Sequence, residues 1–334
     1  MSVWAEGHVA LDPALVRGFI EGQARDYDLP LQVTEATVAL EIWGGAIQAA
    51  PEGAGTALRL RAPEEGLLHA IREAVTEQLG AAGALPDWKD VDAGKLPANM
   101  RLAQVVSVTD ISPAFRRVRV AGAGLDRFAT GGLHFRLLLP PEGRAPVWPV
   151  TDERGRTRWP DGEDALHKPV YTVRHLSPAG DWLDFDVFLH EGGRTTDWTA
   201  RTRPGDVVGL IGPGGDSHPE ARHLGLWGDE TALPAILRIT EALPPEARGE
   251  ICLRVEAEDL PAVALPEGMV LRRVDSAAAL TADLLESALP GQGGYVWFGG
   301  EKAEAARIRS LLRARDLPKS QCLIMSYWTA GAEG

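Results

Sequence analysis

Leu224-Gly225-Leu226-Trp227-Gly228-Asp229-Glu230-Thr231-Ala232-Leu233-Pro234-Ala235 decides the fold of this chain. Leu224 to Trp227 reads as an apolar strand, and the block that follows turns it into a helix that Asp229 or Thr231 can cap. Such a strand-to-helix turn is where a nucleotide docks in an α/β domain. The pattern extends downstream. His223 to Trp227, Glu250 to Val255, Met269 to Val274, Gly294 to Phe298 and Cys322 to Tyr327 read as strands. Ala232 to Leu243, Leu280 to Ala288 and Ala303 to Arg315 read as helices between them. The alternation predicts a parallel sheet with crossover helices over residues 220–330.

Upstream, residues 98–215 change character. Leu102 to Thr109, Phe115 to Val120, His134 to Leu139, Val170 to Arg174, Leu183 to Leu189 and Val207 to Ile211 are short strands with little helix between them. This spacing predicts a closed antiparallel β-barrel or a sandwich. Glu142 to Pro169 is polar and proline-rich and reads as a long loop, a class often functional in compact domains. Residues 1–95 form a third segment, a small α+β domain. Asp12-Pro13 starts a helix carrying Leu15, Phe19 and Ile20, strands follow at Leu31 to Val33, Thr37 to Trp43 and Ala57 to Arg61, and a second helix follows Pro63. Gly80 to Pro97 reads as a linker, and His8 and His69 read as structural.

The whole chain of 334 residues is long enough for two or three domains, and its 45% hydrophobic and 24% charged content is that of a globular protein. A formal net charge of −13 argues against nucleic acid or an anionic membrane as partner. No apolar run approaches the roughly 20 residues of a membrane span. Met1 to Glu6 lacks the basic start and apolar core of a signal peptide, so the expected address is cytoplasmic. Cys252 and Cys322 lie in strand-like apolar surroundings and read as buried structural thiols, and the histidines show no metal-ligand spacing.

Tyr171-Thr172-Val173-Arg174 supplies an aromatic face, a hydroxyl and a fixed cation on one strand. A flavin needs a ring to stack on, a hydrogen-bond partner near its reactive nitrogen and a cation for its phosphates. His190-Glu191-Gly192-Gly193-Arg194-Thr195-Thr196-Asp197-Trp198 is a glycine- and hydroxyl-rich loop entering a helix, suited to a pyrophosphate. Asp229-Glu230 would repel a phosphate, so hydroxyl or nicotinamide contacts are expected there. Tyr327-Trp328 either covers the flavin's other face or seals the core. The basic run Lys302, Arg307, Arg309, Arg313, Arg315 and Lys319 is either a solvated helix face or an anion-attracting rim.

In this order and at this distance, these blocks resemble the siderophore-interacting protein family of the ferredoxin–NADP reductase-like superfamily. Tyr171 to Arg174, Phe188 to Gly193 with Trp198, Pro204-Gly205-Asp206, Gly212-Pro213, Gly228 to Ala235 and Ser326-Tyr327-Trp328 carry the resemblance. It covers residues 98–330. Residues 1–95 resemble a small accessory domain sometimes fused ahead of such proteins. The resemblance implies an FAD-binding barrel, an NADPH- or NADH-binding α/β domain, and reduction of a ferric siderophore or other ferric chelate. It implies that Tyr171, Thr172, Val173 and Arg174 hold the flavin and its ribityl-phosphate, and that His190, Gly193, Thr195 and Thr196 meet the pyrophosphate. Asp229, Glu230 and Thr231 would lie beside the nicotinamide nucleotide and Trp328 beside the flavin, while Lys302, Arg309 and Arg313 would attract the anionic chelate. The family's arginine two residues before the tyrosine is here Pro169, with Lys168 beside it.

No general base or nucleophile is needed, because a flavin accepts a hydride and passes electrons singly to iron. Three alternatives stay open: a ferric-chelate carrier without nucleotide turnover, a general flavin reductase, and electron supply by a ferredoxin.

Overall fold

The computed structural model describes residues 2–27, 29–215, 219–287 and 294–331. The chain divides into two compact units, Met1–Met100 with Leu138–His167 and Arg101–Leu137 with Lys168–Gly334.

The first unit begins with β1 (Val3–Val9), α1 (Pro13–Tyr27), β2 (Leu31–Val33), β3 (Val38–Ile42), β4 (Gly45–Glu52), β5 (Gly55–Ala62), α2 (Glu65–Ala81) and β6 (Asp87–Trp88). The strands form an antiparallel sheet in the order β2-β3-β4-β5-β1-β6. Alternation sets its two faces: Leu58, Leu60 and Ala62 of β5 point into the core, while Arg59 points out. Val16 and Ile20 of α1 and Ile71, Val75 and Leu79 of α2 close that core. Asp12 starts α1 as expected, its carboxylate accepting the Ala14 amide at 2.7 Å. Two strands, β1 and β4, are additions to the sequence reading. The stretch expected to be a linker is also structured: α2 runs on to Ala81, and Asp87–Trp88 pairs with β1. Trp88 is the reason, since its ring is buried and its indole donates to Thr76 at 2.8 Å.

The second unit holds a barrel and a parallel sheet. The barrel opens with β7 (Met100–Ser112), β8 (Phe115–Ala121) and β9 (His134–Leu138). The chain then leaves the barrel for residues 138–167, which pack with the first unit and contain the hairpin β10 (Val150–Thr151) and β11 (Thr157–Arg158). The sequence reading places this stretch as a barrel loop. It joins the first unit because Thr157 donates its amide to Glu73 at 2.9 Å and meets the buried His69 at 3.1 Å, while Thr151 exchanges backbone bonds with Gly94 and Lys95.

The barrel resumes with β12 (Val170–Thr172), β13 (His175–Leu176), β14 (Trp182–Phe188), α3 (Arg194–Arg201) and β15 (Val207–Gly214), in the strand order β12-β9-β15-β7-β8-β14-β13. One segment stands at both ends of that order. Val170–Thr172 pairs with β9, Val173 donates to the Leu133 carbonyl, Arg174 donates to the Asp184 carbonyl, and His175–Leu176 pairs with β14. Residues 170–176 therefore close the sheet on itself, and the fold is a barrel. Across β8 and β14, the directly opposed pairs Arg117–Asp186 and Arg119–Asp184 form two-pronged ion pairs at 2.7–2.9 Å.

The parallel sheet comprises β16 (His223–Asp229), α4 (Leu233–Glu241), β17 (Arg248–Arg254), β18 (Gly268–Arg273), α5 (Ala277–Glu286), β19 (Gly294–Glu301), α6 (Lys302–Arg313) and β20 (Cys322–Trp328), in the order β18-β17-β16-β19-β20. Alternate side chains feed two cores. Leu226, Ile251, Leu253 and Trp297 pack under α4 together with Phe115 and Leu133 of the barrel, and Trp227, Val296 and Phe298 pack with residues of α5 and α6. At Gly249 the backbone has φ +135, and an added Cβ would lie 1.8 Å from the Leu224 carbonyl oxygen, so β16 and β17 approach only because this residue is glycine. Ser276 starts α5 earlier than expected by accepting the Ala279 amide, and the expected helix end at Ala288 lies outside the described residues. Cys252 is buried and Cys322 half-buried, both as free thiols. Among the described residues no helix is long and apolar enough to cross a membrane, and no acid–histidine–cysteine group could hold a metal.

Candidate functional site

The strand that closes the barrel splits its four expected site residues between two faces. Tyr171 is half-buried, with its ring 5.3 Å from Phe185. Burial pushes its phenol up to about 12, against the lowering effect of a hydrogen bond with Thr195. Thr172 lies on the opposite face of the strand, beside its cross-strand partner His134, and its hydroxyl lies 3.2 Å from His134 Nδ1. Val173 is a core side chain. Arg174, expected at the flavin phosphates, is paired with an acid of its own chain. It is 7% exposed, and both prongs of its guanidinium are taken by Glu241 at the end of α4, at 2.7 and 2.5 Å. Partial burial raises the Glu241 carboxyl, and Arg174 more than reverses this, leaving it below the usual range.

The loop into α3 is arranged as its composition suggests. Gly193 is the N-cap residue and offers no side chain, so α3 begins without a side-chain cap. A Cβ at Gly193 would fall 2.7 Å from the His190 ring. His190 is exposed, and its amide donates to the Thr196 hydroxyl at 3.2 Å. Thr195 is buried against Tyr171, and Trp198 anchors α3 into the core.

Asp229 is the hub at the carboxyl edge of the parallel sheet. It is fully buried and accepts the Thr231 amide at 2.9 Å, the Thr231 hydroxyl at 2.5 Å and the Trp328 indole at 2.7 Å. Arg254 stands 3.5 Å away and pairs with Glu230 at 3.0 Å. The two carboxylates thus share one guanidinium inside the protein. Gly300 belongs here too, since its missing Cβ would lie 3.0 Å from the Asp229 carboxylate. Trp328, 39% exposed, is drawn in from the last strand by this bond.

One residue that the sequence reading names only as the start of a strand ties the two halves together. His134 accepts or donates at both ring nitrogens, meeting Thr172 through Nδ1 and the Tyr327 hydroxyl through Nε2 at 2.9 Å. Tyr327 also packs edge-on against Trp297, so its ring seals the core while Trp328 stays exposed. Only the apolar company of His134 in the sequence hinted at burial, and nothing local announced its partners.

The structure does not gather the three expected chelate-binding cations. Lys302 opens α6 at the carboxyl edge, whereas Arg313 ends it about 16 Å further along the axis. Arg309 donates to the Ile324 carbonyl at 2.9 and 3.1 Å, fastening α6 to β20. Two other exposed cations flank the closing strand: Arg136 of β9 donates to the Lys168 carbonyl at 2.8 Å, next to Pro169.

Comparison with known proteins agrees with this architecture. Residues 104–217 match the model of a siderophore-interacting FAD-binding domain, and residues 221–331 match that of a siderophore-interacting protein. Ferric vibriobactin reductase ViuB of Vibrio cholerae is 29% identical over 249 residues, covering 69% of this chain and 90% of that protein. The crystal structure of a siderophore utilization protein from T. fusca is 32% identical with a TM-score of 0.61, covering 70% of this chain and 94% of that one. The siderophore-interacting protein SipS from Aeromonas hydrophila is 30% identical with the same TM-score, covering 70% and 93%.

Proposed function

The chain belongs to the siderophore-interacting protein family, and from that premise we propose that it is an FAD-dependent NAD(P)H:ferric-siderophore oxidoreductase. The observation that carries the reading is the junction of the closing strand with the carboxyl edge of the parallel sheet, through Thr172–His134–Tyr327 and Trp328–Asp229. The donor set there fits a flavin: a half-buried tyrosine ring on a barrel strand, and a helix start whose N-cap residue is a glycine with no side chain.

In this reading the barrel, residues 98–215, holds FAD and residues 220–330 hold the nucleotide. Tyr171 gives the isoalloxazine a face, and the α3 start with Gly193, Thr195 and Thr196 receives the pyrophosphate. Bound FAD would supply the redox chemistry, hydride acceptance and single-electron release. The chain's own residues orient and exclude. Asp229 holds Trp328 against the edge, Thr231 and Glu230 border the nucleotide, and Arg136, Lys168 and Lys302 lend positive charge that favours an anionic chelate in a protein of net charge −13. The cytoplasm, where reduced nicotinamide nucleotide is supplied, is the proposed location.

Anaerobic reconstitution with FAD tests the reading. Bleaching by NADH or NADPH, followed by reoxidation with a ferric siderophore, is the expected result and also selects the coenzyme. Failure to bind FAD would leave a ferric-chelate carrier. Preference for free flavin over ferric chelate would leave a general flavin reductase. Bleaching by reduced ferredoxin alone would change the donor.

A further inference from the structure

His134 opens β9 at 4% exposure, and the chain is built closely around it. Its ring meets Thr172 Oγ1 at 3.2 Å on one side and Tyr327 Oη at 2.9 Å on the other. Gly215, with φ +74, covers the ring so tightly that a Cβ there would lie 2.7 Å from His134 Cδ2. The charged groups that bear on the chain are Arg238 of α4, whose guanidinium donates to the Leu133 and Phe128 carbonyls, and Asp229, which acts on Tyr327. Burial first, and Arg238 second, bring the imidazole down to about 4, and burial holds the Tyr327 phenol well above its ordinary range. At neutral pH all three groups are therefore uncharged.

A neutral imidazole has one N–H and one lone pair, and a hydroxyl can donate or accept. The chain Thr172–His134–Tyr327 can thus be written in two directions with the same atoms in the same places. A proton entering at one hydroxyl releases another at the far one, with the imidazole exchanging tautomers and no charge left in the core.

We propose that this chain is the proton exit for the reoxidation half of the cycle, with His134 as its relay. The proposal rests on the flavoprotein reading above. A flavin reduced by hydride carries two electrons and one proton beyond its oxidised form. Two ferric ions take one electron each and become two ferrous ions, the ring N–H bond breaks, and one proton must leave. Thr172, next to the stacking residue Tyr171, receives it and passes its own proton to His134, which hands the other ring proton to Tyr327, half-buried near the edge. The hydride-accepting half takes up no separate proton, so the relay acts in one half only.

The test separates the two halves by anaerobic stopped flow, using FAD-loaded protein, NADPH or NADH, and ferric citrate, in H2O and D2O. Tyr327→Phe and His134→Asn are expected to slow flavin reoxidation by ferric citrate by on the order of 10²-fold and to abolish its solvent isotope effect, while bleaching by the nucleotide keeps its rate. Equal slowing of both halves, or of neither, overturns the relay. A second measurement needs no flavin: ¹⁵N spectra of the His134 ring should show a neutral imidazole at pH 7 whose tautomer balance shifts in Tyr327→Phe. An imidazolium, or a ring indifferent to that substitution, overturns the chain itself. If His134→Asn does not fold, Tyr327→Phe, which removes one oxygen, carries the test. Bound flavin that neither nucleotide bleaches overturns the reductase reading and this proposal with it.

Discussion

Arg174 and Glu241 form a two-pronged ion pair that ties the strand closing the barrel to the last turn of α4, across 67 residues of sequence. Removing one partner strands the other. Glu241→Ala leaves a guanidinium at 7% exposure whose nearest remaining acid is Asp186 at 3.9 Å. A loss of about 2 kcal/mol is expected by urea denaturation, because hydrogen bonds to charged groups are worth roughly that much. Arg174→Met, which removes the buried charge and keeps the bulk, should cost less. An equal cost for both would contradict the pairing.

Acid should weaken both units through buried histidines. His69 is held down to about 4 by burial and by Arg72, and His134 to about 4 by burial and Arg238. Unfolded histidine titrates near 6.5, so between about pH 6.5 and 4 the unfolded chain binds more protons than the folded one. Stability is therefore full above that window and falls as pH drops through it, by on the order of 3 kcal/mol for each residue. Urea midpoints measured from pH 7 to pH 4 give the slope. His69→Gln should flatten it for the first unit and leave the second unit's slope in place.

Tyr171 should matter to FAD through its ring more than its hydroxyl. Tyr171→Phe keeps the face and loses the bond to Thr195, whereas Tyr171→Ala should weaken FAD retention by about 1–3 kcal/mol, the usual worth of an aromatic stack. Fluorescence titration of the flavin reads this directly. Equal affinities for the alanine variant and the unaltered chain would remove Tyr171 from the site.

Gly249→Ala should unfold or severely destabilise the parallel sheet. Its Cβ cannot coexist with the Leu224 carbonyl at 1.8 Å, and φ +135 is closed to alanine. A cost above about 3 kcal/mol is expected, since strain and a broken strand pair add. Circular dichroism melting would reveal it. An unchanged melting temperature would mean that β16 and β17 can part without loss.

What could be read from sequence depended on how local the signal was. The block from Gly228 to Ala235 declares itself, because a buried strand, a capping aspartate and a helix start are neighbours along the chain. Tyr171 to Arg174 announces a functional strand, yet the purpose of Arg174 is set by Glu241, which no local pattern connects to it. His134 is the extreme case. Its partners lie 38 and 193 residues away, and a single histidine before Phe135-Arg136-Leu137 looks like any core histidine. The cations of α6 are neighbours in sequence, but the helix spreads them along its length and Arg309 donates to a carbonyl, an arrangement that no local pattern shows.

The excursion of residues 138–167 into the first unit bears on how the protein is made. A ribosome delivers the chain from its N-terminus, and a domain completes itself once its last residue emerges. Here the opening unit cannot be finished at residue 100, because Thr151 and Thr157 are still to come. By the time they appear, β7, β8 and β9 are already outside, waiting for the strand that carries Tyr171. The two units must therefore mature in overlap, and a gene trimmed to begin at the barrel would encode a thirty-residue arm whose own partner had been deleted.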